Sequence, residues 1–375
     1  MTNPTIGILG GGQLGRMLAL AGVPLGFRFR FFDPAADACA QDVGALTVGS
    51  WMDCDALGRF ARECDAITFE FENVPTTSLD AVEAIVEVRP PRAALATLSD
   101  RVHEKQFFQR CGLMVQPFAA VSSAVDLAIA VATVGTPGVL KTRSLGYDGK
   151  GQRVIRDARL AEAAWSSLGE VPCIYEAFVP FDREVSIVAV RTKVEGSVQF
   201  DAYPLGENVH REGILHTTIV PAHVPASLAA AAREHARVVA DTLDYIGVFT
   251  IEFFVADGTL IANEMAPRVH NSGHWTIDGA ITSQFENHIR AIRGLPLGSC
   301  APLHAWVAML NIVGRIPPAS SALGDREWKL HLYGKSARAG RKTGHITLHA
   351  ATESALIAAL ARAECISRSP NAVHS

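Results

Sequence analysis

Between Thr250 and Val269 two apolar runs flank Asp257-Gly258, and each run carries one carboxylate, Glu252 and Glu264. Asp-Gly between apolar runs signals a hairpin, so two antiparallel strands are expected here. An acid inside an apolar strand is costly unless something neutralises it. A hard divalent cation shared by both carboxylates would do so. Arg268, His270 and Asn271 follow directly and are placed to hold a small oxyanion beside that cation. Side chains alternate faces along a strand. A two-residue turn pairs Glu252 with Asn263 and sends Glu264 to the other face. A three-residue loop over 257–259, or a bulge, sets Glu252 opposite Glu264. The second arrangement is expected. The plain alternative is two rim carboxylates on a solvated hairpin face.

The chain has 375 residues, 49% of them apolar and 19% charged, with a net charge of −4. That length supports two or three domains with real cores. The charge balance gives no footprint for nucleic acid. No apolar run is long enough to cross a bilayer, and the first residues lack the basic region and cleavage site of an export signal. The seven cysteines form no CxxC pair. Reduced thiols in a cytoplasmic protein without a zinc site are therefore expected.

The chain reads as α/β and then α+β. Apolar runs at 5–9, 27–32 and 66–69, with a helical stretch from Gln13 to about Ala21, predict a parallel α/β unit in residues 1–100. A helix beginning at Ser99-Asp100 opens a second domain, 101–294, in which short strands alternate with helices. Helices are expected over 227–243 and 282–293. Residues 295–375 form a small strand-rich tail.

Two glycine loops suggest phosphate. Gly10-Gly11-Gly12-Gln13-Leu14-Gly15 fits the G-x-G-x-x-G pattern, follows a strand and opens a helix; Asp33 ends the next strand. On pattern alone this is a dinucleotide fingerprint with an acid placed for a ribose hydroxyl. Amides at a helix start receive any phosphate, so the motif favours a phosphorylated ligand more than a nicotinamide cofactor. The second loop runs from Lys141 through Gly146-Tyr147-Asp148-Gly149-Lys150-Gly151-Gln152. Its cations and free amides suit the phosphates of a nucleotide, and its glycines suit a lid.

Lys141, the second loop, Glu176 to Val179, Glu184, Glu252 and Asn263-Glu264 follow the order of the ATP-grasp superfamily. Gly12-Gln13-Leu14-Gly15-Arg16-Met17, Gly146 to Gln152, Asn263 to Trp275 and Gly340-Arg341-Lys342-Thr343-Gly344-His345 resemble the 5-(carboxyamino)imidazole ribonucleotide synthetase family more closely still. The resemblance spans about residues 5 to 350. It implies an ATP-grasp fold with an N-terminal Rossmann-like domain and a small strand-rich C-terminal domain. It implies a cytoplasmic, homodimeric ligase that carboxylates 5-aminoimidazole ribonucleotide with bicarbonate and ATP through carboxyphosphate, in purine synthesis.

Roles follow by position. The resemblance puts Arg101, Lys141, Gly146 to Gln152, Glu176, Ala177, Phe178, Val179, Glu184, His210, Asn263 and Glu264 at ATP. It makes Glu252 and Glu264 the ligands of Mg2+, with Mn2+ as a substitute. Arg268, His270 and Asn271 would form the bicarbonate and carboxyphosphate pocket. Gly12, Gln13, Leu14, Tyr147, Lys150, Arg341 and Lys342 would hold the ribonucleotide, with Asp148 and Lys342 also acting in turnover. Two departures stand out. Lys150 replaces a common arginine, which loses bidentate phosphate contact. Ala266 stands where related carboxylases often place asparagine, so that contact must come from elsewhere, with Asn271 a candidate. The rival readings are another ATP-grasp ligase (a formate-using transformylase or a biotin carboxylase), an NAD-dependent oxidoreductase built on the first glycine loop, and a non-catalytic nucleotide-binding regulator.

Overall fold

The computed structural model describes residues 3–144 and 151–367. The N-terminal unit is a parallel sheet in the order Ala45–Val48, Arg28–Asp33, Thr5–Leu9, Ala66–Phe69. Thr5–Leu9 and Ala66–Phe69 are buried at every position, as expected of parallel strands covered on both faces. Helix Gln13–Gly22 leaves the end of the first strand across the glycine loop. Residues 118–177 build a small antiparallel sheet in the order Phe118–Val121, Cys173–Ala177, Gly138–Thr142, Gln152–Ile155.

The largest sheet runs Thr259–Ala266, Gly247–Ala256, Arg183–Val194, Gly206–Arg211, Ile214–Val220, Trp306–Val313, Lys342–Ala350, Lys329–Leu332; Ser197–Ala202 pairs with Arg183–Val194. The strand-rich C-terminal region thus continues the central sheet, joined where Thr217 pairs with Leu310.

Alternation along Arg183–Val194 separates two cores. Val185, Ile187 and Ala189 pack into one with helix Ala226–Thr242. Val188 and Val190 pack into the other with helices Gln13–Gly22 and Gln284–Ile292. Glu184 and Ser186 share the face of Val188 and Val190, beyond the end of that second core. In the neighbouring strand Glu184 lies opposite Phe254 and Ser186 opposite Glu252, so the sheet delivers its acids to one surface. The helix expected from Ser99-Asp100 spans Arg101–Arg110, with Asp100 accepting from the Val102 and His103 N–H groups as its cap. None of the seven cysteines, all of which lie among the described residues, is joined in a disulfide.

Candidate active site

The hairpin pairs Ala256 with Thr259 around Asp257 (φ 49°) and Gly258 (φ 70°). Two successive left-handed residues make a two-residue type I′ turn. That register would oppose Glu252 to Asn263, but it shifts along the ladder: Phe253 pairs with Ala262 and Glu252 pairs with Glu264, leaving Asn263 extra. The expected facing of the two acids is therefore reached by a bulge and not by a longer loop. Burial follows the same change of phase, because Leu260 and Ala262, then Met265, enter one core.

The paired acids are not equivalent. Burial and the neighbouring Glu264 charge push Glu252 up to about 8. Burial also acts against the Glu264 charge, but the Arg101 guanidinium outweighs it and holds that carboxyl at about 2. Arg101 Nη1 lies 2.8 Å from Glu264 Oε2. The two carboxyls therefore titrate apart, Glu264 at lower pH and Glu252 at higher. His270 Nε2 stands 3.8 Å from Glu252 Oε1. Burial, then the Arg268 and Lys342 charges, lower His270 to about 3, so its ring is neutral. His210 Nδ1 bonds Glu184 Oε2. Burial lowers His210, yet Glu184 and the Glu252 charge raise it above 6.5 overall.

Of the residues singled out in the sequence, Gln13, Leu14, Arg101, Lys141, Gln152, Glu176, Ala177, Phe178, Val179, Glu184, His210, Glu252, Asn263, Glu264, Arg268, His270, Asn271 and Lys342 line one cleft of about 580 Å³. Gly146, Tyr147, Asp148, Gly149 and Lys150 lie outside the described residues. Gly151 follows them at φ 73°, its carbonyl accepting from the Thr142 N–H. Gly12 and Arg341 are not on the cleft wall; the Arg341 guanidinium donates to Ser336 Oγ at 2.9 Å. Among the described residues no group of three or more His, Cys, Asp or Glu side chains is arranged to hold a metal ion.

Several side chains already have partners. Glu176 offers the cleft little acid, because Lys141 Nζ and Gln116 Nε2 each donate to its Oε2 at 2.6 Å. Burial raises the Glu176 carboxyl, but Lys105 and Lys141 outweigh that and hold it at about 2. Asn271 and Asn311 exchange amide hydrogen bonds at 3.0 and 2.7 Å, so Asn271 has both polar ends engaged and is poorly placed to replace the contact that Ala266 lacks. Arg268 Nη2 meets Glu72 Oε2 at 2.7 Å. Phe254, beyond Glu252 on the same face, stacks on Phe181 with ring centroids 4.6 Å apart.

The first glycine loop is occupied by the protein itself. Glu70 accepts from the N–H groups of Gly12 and Gly15, the latter at 2.5 Å. A Cβ at Gly12 would lie 2.6 Å from Glu70 Oε1, so this glycine is required by a carboxylate of the same chain. Asp33, expected at a ribose hydroxyl, instead accepts from the Gly11 and Ala35 N–H groups at 2.7 Å each. Amides that would seat a pyrophosphate are spent, which corrects the dinucleotide reading of this motif. Glu70 was not singled out in the sequence. Its one signal is the position of Glu70-Phe71-Glu72-Asn73 at the carboxyl end of a parallel strand, where α/β sheets place ligand-binding groups. Glu104, Lys105 and Gln116 gave no signal.

Family models match across this architecture. Residues 3–99 match the ribonucleotide synthetase preATP-grasp domain, 106–285 the ATP-grasp domain, and 307–359 the phosphoribosylaminoimidazole carboxylase C-terminal domain. The N5-carboxyaminoimidazole ribonucleotide synthase of Pseudomonas aeruginosa is 49% identical over 361 residues, covering 96% of this chain and 99% of that protein. The chain belongs to the N5-carboxyaminoimidazole ribonucleotide synthase family. Its fold is accordingly the ATP-grasp fold of that family, with an N-terminal parallel-sheet unit and a strand-rich C-terminal region. The crystal structure of the family member from Thermus thermophilus superposes with a TM-score of 0.91 at 49% identity, covering 97% of this chain and 99% of that one. An Aspergillus clavatus member, solved in complex with ADP and 5-aminoimidazole ribonucleotide, gives 0.89 at 30% identity over 98% and 99% of the two chains.

Proposed function

We propose that this chain is an ATP-dependent carbon–nitrogen ligase of de novo purine synthesis. It carboxylates 5-aminoimidazole ribonucleotide with bicarbonate, through carboxyphosphate, to 5-(carboxyamino)imidazole ribonucleotide, ADP and phosphate. The observation that carries the reading is the pairing of Glu252 with Glu264 in the same cleft as Lys141, Arg268 and His270.

Bicarbonate is a poor electrophile until one oxygen is phosphorylated, and that step adds negative charge. Arg268 and Lys342 supply fixed positive charge to stabilise it. The neutral His270 contributes a hydrogen bond and no charge. Lys141 is the phosphate cation, the backbone of Glu176 to Val179 frames the adenine, and Glu184 with His210 reaches the ribose. Arg101 orients Glu264 from behind. Gln13, Leu14 and Lys342 face the ribonucleotide.

Two carboxylates at one ladder position on the cleft wall, each raising the cost of charge on the other, form a donor set that suits a hard cation. Glu252 and Glu264 would hold magnesium, or manganese in its place. When bound, such an ion neutralises charge on the transferring phosphoryl group. The chain divides for function into residues 1–100, 101–294 and 295–375, and works as a cytoplasmic homodimer as its family resemblance implies.

The test is ADP release measured with bicarbonate or formate, each with and without 5-aminoimidazole ribonucleotide. Turnover should require bicarbonate and rise with the ribonucleotide. Turnover driven by formate, or indifferent to the ribonucleotide, would overturn the assignment in favour of another ATP-grasp ligase.

A further inference from the structure

The bulge at Asn263 needs something to hold it. The Asp257-Gly258 turn alone sets a register that sends Glu264 away from Glu252. Strand Thr259–Ala266 ends the order of its sheet, so no further strand among those described holds its outer side. Helix Arg101–Arg110 packs there instead. Lys105 Nζ donates to the carbonyl oxygen of Ala262 at 3.0 Å and to that of Asn263, the extra residue, at 2.6 Å. Glu104 Oε1 accepts from the Met265 N–H at 2.6 Å. Arg101, one turn earlier on the helix, takes the Glu264 carboxylate itself. One helix face therefore grips the backbone on both sides of Glu264 and its side chain between.

Glu104 and Lys105 are 2% and 1% exposed. Burying both charges is expensive, and apolar residues of similar size would cover a strand edge at less cost. What apolar residues cannot do is select a shifted ladder by binding particular carbonyl and amide groups.

We infer that Glu104 and Lys105 are positioning residues for the ligase reaction: by clasping residues 262–265 they hold the Asn263 bulge and so keep Glu264 facing Glu252. The inference rests on reading that carboxylate pair as the metal site. Groups that orient metal ligands from behind typically change metal affinity by about 10–100-fold when removed.

The experiment measures Mn2+ binding by electron paramagnetic resonance in the presence of ADP, and ADP binding without metal by calorimetry. The variants are Glu264→Gln, Glu104→Gln, and Glu104→Leu combined with Lys105→Met, which removes both buried charges together. The double variant should lose about 10–100-fold in Mn2+ affinity with metal-free ADP affinity unchanged. Glu104→Gln keeps an acceptor for the Met265 N–H and should stay near wild type. If the double variant does not fold, Glu104→Leu set against Glu104→Gln makes the same comparison with Lys105 in place. A folded double or Glu104→Leu variant that binds Mn2+ like wild type would overturn the inference, as would equal weakening of Mn2+ and ADP. If Glu264→Gln itself binds Mn2+ like wild type, the metal reading fails and the positioning role falls with it. Loss in Glu264→Gln with retention in the double variant removes the positioning role alone.

Discussion

At the scale of single residues, the cleft turns on which cations are still able to serve a ligand. Arg268 contacts Glu72 and the Val269 carbonyl, which engage part of a guanidinium fork with five N–H donors. Its side chain remains 17% exposed, toward the cleft. Removing one preorganised donor to a developing oxyanion costs about 10²–10³-fold in kcat. Arg268→Ala should therefore lower bicarbonate-dependent ADP release by that order while calorimetric titration shows ATP affinity unchanged; equal loss of both would contradict the bicarbonate role. Glu70 makes the opposite case, a charge wholly committed to the fold. Burial pushes its carboxyl up, yet two backbone N–H groups depend on it. A glutamine there can accept at one end only and turns a donor toward the other amide. Glu70→Gln should destabilise the protein by about 1–3 kcal/mol, read by urea unfolding. With those amides engaged, NADH should give no fluorescence titration. A neutral effect of Glu70→Gln, or tight NADH binding, would show that the loop is free after all.

At the scale of elements, helix Glu353–Ser367 is pinned to the central sheet by titratable groups. His223 bonds Glu207 through Nδ1 at 2.7 Å and Glu353 through Nε2 at 2.8 Å. Donating from both nitrogens requires the imidazolium. The Glu207 bond, opposed by burial and reinforced by Glu353, raises His223 above its ordinary 6.5. Its contribution is complete below that value and is lost as pH rises through the raised one. At the other end of the helix Glu364 accepts from Arg211 at 2.9 Å and bonds His216 at 3.1 Å. Burial raises Glu364, but those partners outweigh it and the carboxyl sits below 4.5, so its contribution is lost as pH falls through the depressed value. The helix should be held most firmly in mildly acidic solution and loosen above neutral. Comparing melting temperatures of wild type and His223→Gln across pH tests this. The difference should be largest below pH 6.5 and shrink as pH rises through the raised His223 value, and should stay small because a part-exposed pair contributes under about 1 kcal/mol. A difference that grows with pH would refute the sign.

The elements themselves were largely readable. Asp257-Gly258 between apolar runs announced the hairpin, and Asp100 announced the helix cap. The bulge that gives the hairpin its chemistry was readable only as an option, because the groups that grip it, Glu104 and Lys105, lie some 160 positions earlier in the chain. The glycine loop was readable as a strand-to-helix turn. Its occupant was not, because a carboxylate 55 residues further on supplies what a phosphate would. Lys342 reaches the cleft and Arg341 does not: Lys342 opens the strand Lys342–Ala350, whereas Arg341 lies in the turn before it and donates to Ser336.

At the scale of the molecule, the three stretches of sequence do not own three separate cores. One continuous cluster contains Ile6, Ile8, Leu18 and Phe31 from the N-terminal sheet, Val188, Val248, Trp275 and Ile289 from the middle, and Val307, Met309 and Tyr333 from the C-terminal region. Composition along the chain could mark changes of style, but a shared core is a property of no local window. Cleft residues come from all three stretches, from Gln13 through Glu252 to Lys342, so the site exists only while that cluster is intact. Residues 295–375 also supply Trp306–Val313, which covers the edge of Ile214–Val220. A fragment ending at 294 would expose that edge and lose the C-terminal part of the cluster. The fragment should therefore fail to give a cooperative melt by circular dichroism, while the full chain unfolds in a single calorimetric transition whose enthalpy matches the van't Hoff value. Two resolved transitions in the full chain, or a fragment 1–294 that melts cooperatively on its own, would mean that the units fold independently and that the cleft is assembled by docking finished domains.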